Sequence, residues 1–233
     1  MVSIVMATYN GTQFIRNQID SILSQLNADD EFIVSDDGST DGTFEVLQEY
    51  EAKDSRIKLF IGPKSGVIKN FEYALSKTNG EILFLADQDD MWFANKVQTI
   101  IEQFRYQPPE VLLILHNGIE TGIDGLLLKS CYTMRHGIFK NILKSSYYGH
   151  RIAFRKELLA KILPFPNNCP SYDQYIGLVC ELERCSVFIA NKLTNHVIHG
   201  NNWSHDLSLL KKIGFRCMMG ICLFRYLQKK VYL

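Results

Sequence analysis

The chain has 233 residues, enough for one large domain or two small ones around a packed core. Its 25 lysines and arginines balance 25 aspartates and glutamates, which excludes a nucleic-acid binder that relies on a global basic field. No run reaches about 18 uninterrupted apolar residues and no basic leader precedes the first strand, so the expectation is a cytoplasmic protein with no membrane span, its six cysteines reduced.

Taken in order, "VSIVMAT" (2–8) is short, apolar and rich in β-branched residues, and reads as a buried strand. In "ATYNG" (7–11), Thr8, Tyr9 and Asn10 offer a hydroxyl, a ring and an amide at its carboxyl end; equally, Asn10 or Thr12 could cap the next helix. That helix is marked by Ile15, Ile19, Ile22 and Leu26 on one face. A second strand, "EFIVS" (31–35), runs into "SDDGSTDGT" (35–43). There Gly38 allows a tight turn and Ser39 or Asp41 can cap a helix, while Asp36 and Asp37 can accept hydrogen bonds from a ribose or a pyrimidine base. Phe44, Leu47 and Tyr50 mark the second helix, "IKLFIG" (57–62) a third strand, Phe71, Ala74 and Leu75 a third helix, and "EILFLA" (81–86) a fourth strand.

That strand ends in "FLADQDDMW" (84–92), where Asp87, Asp89 and Asp90 would repel one another unless something positive lay among them. Favouring the N-terminus of the helix expected over Ala94–Tyr106 needs one acid, not three. Carboxylates at i and i+2 on a strand end can converge on one hard cation, Mg2+ or Mn2+, which is commonly held by one or two carboxylates plus substrate phosphates. Strand–helix alternation continues through Val97, Ile100, Ile101 and Phe104 to "VLLILH" (111–116). It predicts an α/β fold: a mostly parallel (mixed) central sheet with helices on both faces and ligands beyond the carboxyl ends of the strands.

After residue 117 the alternation fades. "HNGIETGIDGLLLKS" reads as a Gly-rich loop, helical patterns return near 156–163 and 173–182 around Pro164, Pro166 and Pro170, and "SVFIA" (186–190) reads as a strand. From Leu207 onward six basic residues and no acid stand among large apolar side chains. This is either a packed C-terminal helix with solvated basic tips or a basic amphipathic segment lying on an anionic membrane surface. The simplest organisation is one domain over 1–204 and a basic apolar segment over 205–233.

"SIVMATYNG", "VSDDGSTDGT" and "FLADQDDMW", in that order and spacing, resemble family-2 glycosyltransferases of the GT-A fold. The DQDD-plus-Trp form is most similar to bacterial transferases of rhamnose-containing polysaccharide assembly. The likeness is clear over residues 2–105 and continues, weaker, to 204. It implies a nucleotide-sugar-binding half over 1–116 and an acceptor-binding half over 117–204. It further implies metal-dependent, inverting hexosyl transfer from a nucleotide-diphosphate sugar, dTDP-rhamnose first and UDP-hexoses next. The implied acceptor is a lipid-linked oligosaccharide or polysaccharide at the inner membrane face; the final segment lies outside the likeness, and its basic apolar composition is consistent with peripheral membrane contact there.

Residue by residue, the resemblance puts Thr8, Tyr9, Asn10, Asp36 and Asp37 in the nucleotide pocket, with Lys64 and Asn70 of "GPKSGVIKNF" near the diphosphate. Asp87 and Asp89 form the D-x-D, Asp89 being the direct metal ligand, and Asp90 supports the site or faces the acceptor. Asp173 in "PSYDQYIGLV" (170–179) matches the general base that must lie opposite the leaving diphosphate; the residues alone would read it as a helix-start acid. Two departures stand out. "NHVIHGNNWS" has Val197 where relatives carry an Arg, leaving His199 as a phosphate- or metal-facing group, and "YYGHRIAFRKELL" has His150 where relatives carry a small residue or Cys. Two rivals are a sugar nucleotidyltransferase, whose Gly-rich basic loop "ATYNGTQF" lacks, and a non-catalytic nucleotide-sugar-binding partner of another glycosyltransferase.

Overall fold

The computed structural model describes residues 1–200 and 208–231. In chain order its elements are β1 (Val2–Thr8), α1 (Ile15–Leu23), β2 (Glu31–Asp36), α2 (Thr43–Lys53), β3 (Ile57–Ile61), α3 (Val67–Leu75), β4 (Ile82–Ala86), β5 (Asp90–Trp92) and α4 (Lys96–Tyr106). Then come β6 (Leu113–Gly122), β7 (Leu127–Lys129), α5 (Ile138–Leu143), β8 (Ile152–Arg155), α6 (Leu159–Ile162), α7 (Tyr172–Glu183), β9 (Ser186–Ile198) and α8 (Leu209–Val231). The strands form one sheet in the order β3-β2-β1-β4-β8-β6-β9-β5, with β7 on β6. β1 pairs parallel with β2 and β4, and β2 with β3, so the loops leaving β1, β2 and β4 share one edge. β8 runs antiparallel between β4 and β6, and the short β5 pairs antiparallel with β9.

The apolar runs are continuous because alternate side chains enter two different cores. Ile4, Met6, Phe32, Val34, Phe84 and Ile114 point toward α1, α2 and α4, where Ile15, Ile19, Ile22, Leu47, Val97, Ile100 and Phe104 cover them. Val5, Ile33, Leu83, Leu85, Leu113 and Phe154 point the other way, toward Phe71 and Leu75 of α3, Ile176 and Val179 of α7 and Met219 and Leu223 of α8. The expected α/β architecture, with a mixed and mostly parallel sheet covered on both faces, is the observed one.

Three expectations change. The stretch "HNGIETGIDGLLLKS" is not a loop: β6 runs on to Gly122 and turns into β7, because β9 extends to Ile198 and pairs with it. The strand expected at 186–190 is therefore only the first part of β9. The helix expected from Ala94 begins at Lys96, and Asp90–Trp92 just before it forms β5 rather than a turn. The boundary drawn at 204/205 lies outside the described residues. None of the six cysteines is in a disulfide, and among the described residues no helix is long and apolar enough to cross a membrane.

At the edge opposite the loops that follow β1, β2 and β4, Glu31 of β2 ties the sheet together. Its buried carboxylate accepts hydrogen bonds from Ser3 Oγ (2.6 Å), Lys58 Nζ (2.6 Å) and the Asn79 N–H (2.6 Å). Burial pushes its pKa up, but the bonds from Lys58, Ser3 and Asn79 outweigh that and hold it at about 2. A pKa below the unfolded value means the stabilisation is present above about pH 4.5 and is lost as pH falls toward 2. Glu31→Gln is therefore expected to cost about 1–3 kcal/mol in urea denaturation at pH 7. The gap between wild type and variant should narrow as the same titration is run at successively lower pH.

Candidate active site

The loops that leave β1, β2 and β4 are laced into one surface. Asn10 Oδ1 accepts the Thr40 N–H (2.8 Å), the Asn10 N–H donates to Ser39 Oγ (2.8 Å), and Thr12 donates to the Asp41 carbonyl (2.8 Å). Asn10 and Thr12 thus bridge to the second loop rather than cap α1, which has no side-chain cap. Asp41 does act near the start of α2, accepting the Thr43 N–H and hydroxyl. Gln88 joins the first loop to the fourth strand by bonding both the Tyr9 N–H (2.9 Å) and its carbonyl (3.0 Å). A Cβ at Gly11 would sit 2.5 Å from Gln88 Oε1 and displace the Gln88 amide from this link.

Within this surface the expected nucleotide-pocket residues fall into two layers. Tyr9, Asn10 and Lys64 are exposed, and Lys64 lies across the Gly38 backbone. Asp37 is half-buried and accepts the Gly66 N–H at 2.7 Å, fastening the turn at 63–66. Thr8, Asp36 and Asn70 lie beneath. Asp36 spends both oxygens on Gly38, Ser39 and Thr8, and Asn70 pairs its amide with Ser35.

The three acids of "DQDD" occupy three different environments. Asp87 keeps 33 % of its side chain exposed and is approached by Tyr172 Oη and His150 Nδ1, each at 3.3 Å. Its backbone carbonyl accepts from the buried Gln18 amide (2.7 Å). Asp89 Oδ2 lies 2.8 Å from His199 Nε2, whose ring stacks on Phe14 at 4.4 Å between centroids. Both carboxylates are held above the usual range, by desolvation first and, for Asp89, also by the charge of Asp87; the solvent still reaching Asp87 tempers the effect there.

Asp90 is different: it faces inward and is buried. Its Oδ1 is 2.6 Å from His196 Nδ1, the residue opposite it in the β5–β9 register, and its Oδ2 is 3.2 Å from His150 Nδ1, without hydrogen-bond geometry. His150 and His196 stack at 4.8 Å, nearly parallel. Burial drives His150 down to about 3, so it is neutral. Burial also opposes charge on His196, yet the Asp90 carboxylate overcomes this and raises His196 to about 9. Asp90 and His196 are thus a buried ion pair. Beside them the buried Lys96 donates to the His150 carbonyl (2.8 Å) and sits 3.8 Å from the Trp92 ring centre, which gives the Trp of the motif its place.

Asp173 opens α7 as expected. Its Oδ1 accepts from Ser171 Oγ and the Gln174 N–H, and its Oδ2 takes a longer 3.2 Å bond from the Gly149 N–H. Burial, with the Asp87 charge adding to it, raises its pKa to about 6 against those bonds. The structure therefore pairs Asp89 with His199 and sets Asp87 near enough for its charge to act on Asp89, and Tyr172 links Asp87 to the start of α7. His196, Lys96, Tyr172 and Gln88 had no part in the sequence reading. The one signal for His196 was Asp90, a third acid beyond the D-x-D that needed a partner; Gln88 and Tyr172 gave none.

Two groups of side chains bear on where a cation could sit, and among the described residues only the second has three donors that converge. Asp87 and Asp89 are partly exposed carboxylates following β4, Asp89 paired with His199 at 2.8 Å, and oxygen donors of this kind suit a hard divalent ion. Asp90, His150 and His196 converge, their donor atoms within 4.8 Å of one another, but Asp90 is already neutralised by His196.

Residues 3–163 match the family model described as glycosyl transferase family 2. A UDP-Glc:alpha-D-GlcNAc-diphosphoundecaprenol beta-1,3-glucosyltransferase of Escherichia coli, WfgD, is 29% identical over 213 residues, 91% of this chain and 70% of that protein. The dTDP-rhamnosyl transferase RfbG of Shigella flexneri is 36% identical over 104 residues, 42% of this chain and 36% of that one. The mannosyltransferase PcManGT of Pyrobaculum calidifontis, solved with GDP-Man and Mn2+, superposes with a TM-score of 0.66 at 18% identity, covering 100% of this chain and 64% of that one. The chain spans 36% to 41% of the length of several curated relatives it matches.

The Asp90–His196 pair is open to a double-mutant cycle. Asp90→Asn or His196→Gln alone leaves one buried charge without its partner and is expected to cost about 3 kcal/mol in thermal or urea unfolding. The double variant should cost clearly less than the sum, whereas additive losses would show the two groups to be uncoupled.

Proposed function

The chain belongs to glycosyl transferase family 2, and we propose that it moves one sugar from a nucleoside diphosphate donor to an acceptor hydroxyl, with a divalent cation and with inversion at the anomeric carbon. The observation that carries this reading is the 2.8 Å approach of Asp89 to His199 beside Asp87, on the edge where Tyr172 delivers the start of α7. Asp89, His199 and Asp87 would hold Mg2+ or Mn2+, and such an ion offsets charge on a leaving diphosphate. The Mn2+ bound by PcManGT supports a divalent cation in this reading.

In this reading Tyr9, Asn10, Asp37 and Lys64 line the donor pocket from the exposed layer, Asp37 toward the base and Lys64 toward the diphosphate. Thr8, Asp36 and Asn70 hold the loops from below. Asp173 takes the acceptor proton on Oδ2, the oxygen with the longer bond to Gly149, while Ser171 and Gln174 fix Oδ1. Residues 1–116 would bind the nucleotide sugar and 117–204 the acceptor. The descriptions of RfbG and WfgD support dTDP-rhamnose or a UDP-hexose as donor, and that of WfgD supports a lipid-linked saccharide acceptor, as in bacterial surface polysaccharide synthesis.

The test is sugar transfer from a donor panel with Mn2+ present. Asp89→Asn is expected to lower turnover by about 10²-fold or more, and Asp173→Asn by about 10²- to 10⁴-fold. Because the base must be ionised, kcat/KM should fall about tenfold per unit as pH drops below about 6, a slope absent from the residual activity of Asp173→Asn. NMR of the product should show an inverted anomeric centre. Retention, or turnover untouched by Asp89→Asn and by chelation, would refute the reading.

A further inference from the structure

α8 is apolar on two opposite sides. Its inner side, through Met219, Cys222, Leu223 and Tyr226, belongs to the core shared with α7. At 3.6 residues per turn, Leu209, Ile213, Cys217, Ile221, Phe224 and Leu227 fall on the opposite side, a stripe roughly a third of the circumference wide. All six are exposed, Phe224 to 61% and Leu209 to 70%. Ordinary surface helices carry polar groups there. Lys211, Lys229 and Arg225 flank the stripe on one side and Arg216, Lys212 and Lys230 on the other, with no acid anywhere in the helix.

A second basic feature adjoins it. A groove of about 400 Å³ between α5, the start of α7 and α8 is lined by Lys144, Gln174, Lys212, Phe215 and Arg216. Arg216 is set in place by donating to the Leu143 carbonyl (2.9 Å). Gln174, on its wall, follows Asp173 directly.

We propose that α8 is an interfacial helix: its outer stripe lies among the acyl-chain ends of an anionic bilayer, and its basic flanks and the Lys144–Lys212–Arg216 groove take lipid phosphates. Charge selects this occupant. Lys230 already pairs with Glu183 of α7 (2.6 Å), so a second copy of the same face would bring five cations against five with no acid on the helix to pair them, and the six basic residues exclude a spanning helix. An anionic surface matches both the stripe and its flanks. Because the inner side of α8 packs on α7, the bilayer plane is fixed relative to Asp173, and an acceptor hydroxyl presented from that surface arrives at the start of α7. This last point rests on the proposed function; the membrane contact does not.

The test is co-sedimentation of the full chain with vesicles of phosphatidylcholine alone or with a third phosphatidylglycerol, without donor, metal or acceptor, so that its failure leaves the catalytic reading intact. The chain should partition at least about tenfold more strongly to the anionic vesicles, and less as salt is raised. Ile221→Asp/Phe224→Asp and, separately, Lys144→Glu/Lys212→Glu should each lower partition about tenfold or more. Tyr106→Asp, an equally exposed change at the end of α4, should not. All substituted side chains are exposed, so unchanged circular dichroism and melting serve as the folding check. Equal binding to both vesicle types, no binding at low salt, or variants that bind as wild type would overturn the proposal. So would a dimer in light scattering that Ile221→Asp/Phe224→Asp dissociates.

Discussion

A carboxylate taken out of water must find a partner, and here that requirement falls on Asp90. Its pairing with His196 is a contact between neighbouring strands, Asp90 on β5 and His196 on β9, at matched register positions. The same carboxylate faces His150, which sits on the turn into β8 and also touches Asp87. One buried charge thereby ties together three segments that are far apart in sequence. Everything at the open edge follows from their positions: Asp87 and Asp89 leave β4 immediately before Asp90, and His199 leaves β9 three residues after His196. The inner pair sets where those segments run, and Tyr172 and Phe14 then orient Asp87 and His199 above it.

The consequence is a division of labour among acids that look alike. Asp90 is neutralised by the chain itself and serves the fold. Asp87 and Asp89 lie at a more open edge, Asp89 beside His199, where the proposed cation and diphosphate would meet them. Asp173 lies in another environment, lifted by burial toward neutrality while its hydrogen bonds keep it oriented, as a proton acceptor requires. The surface beside it, built by the loops after β1, β2 and β3, repeats the pattern, with a buried layer of Thr8, Asp36 and Asn70 that shapes backbone and an outer layer of Tyr9, Asn10, Asp37 and Lys64 that meets solvent.

The first half of the fold was legible because β1, β2 and β4 are covered on both faces and so appear as unbroken apolar runs. β5, β7 and β8 were not: each has three or four residues, and each exists only through pairing with distant strands. β6 and β9 were read too short for a related reason. Past His116 and Ile189 their sequences turn polar, since that end of the sheet carries His116, Asn117, Thr121 and Thr194 rather than core. The acid cluster was visible and the resemblance set Asp90 apart from Asp89, but that Asp90 turns inward to His196 needed the β5–β9 register. The two-sided character of α8 could be read as apolar content, but which side packs required the fold.

The claim on which the account depends most is that the cation belongs to Asp89, Asp87 and His199, while Asp90, His150 and His196 hold the frame. A crystal of the chain grown with Mn2+ and a nucleoside diphosphate, recorded at the manganese absorption edge, addresses it directly. The account predicts one anomalous peak in contact with Asp89 and His199, bridging to the diphosphate. A peak seated instead between Asp90, His150 and His196 would contradict it.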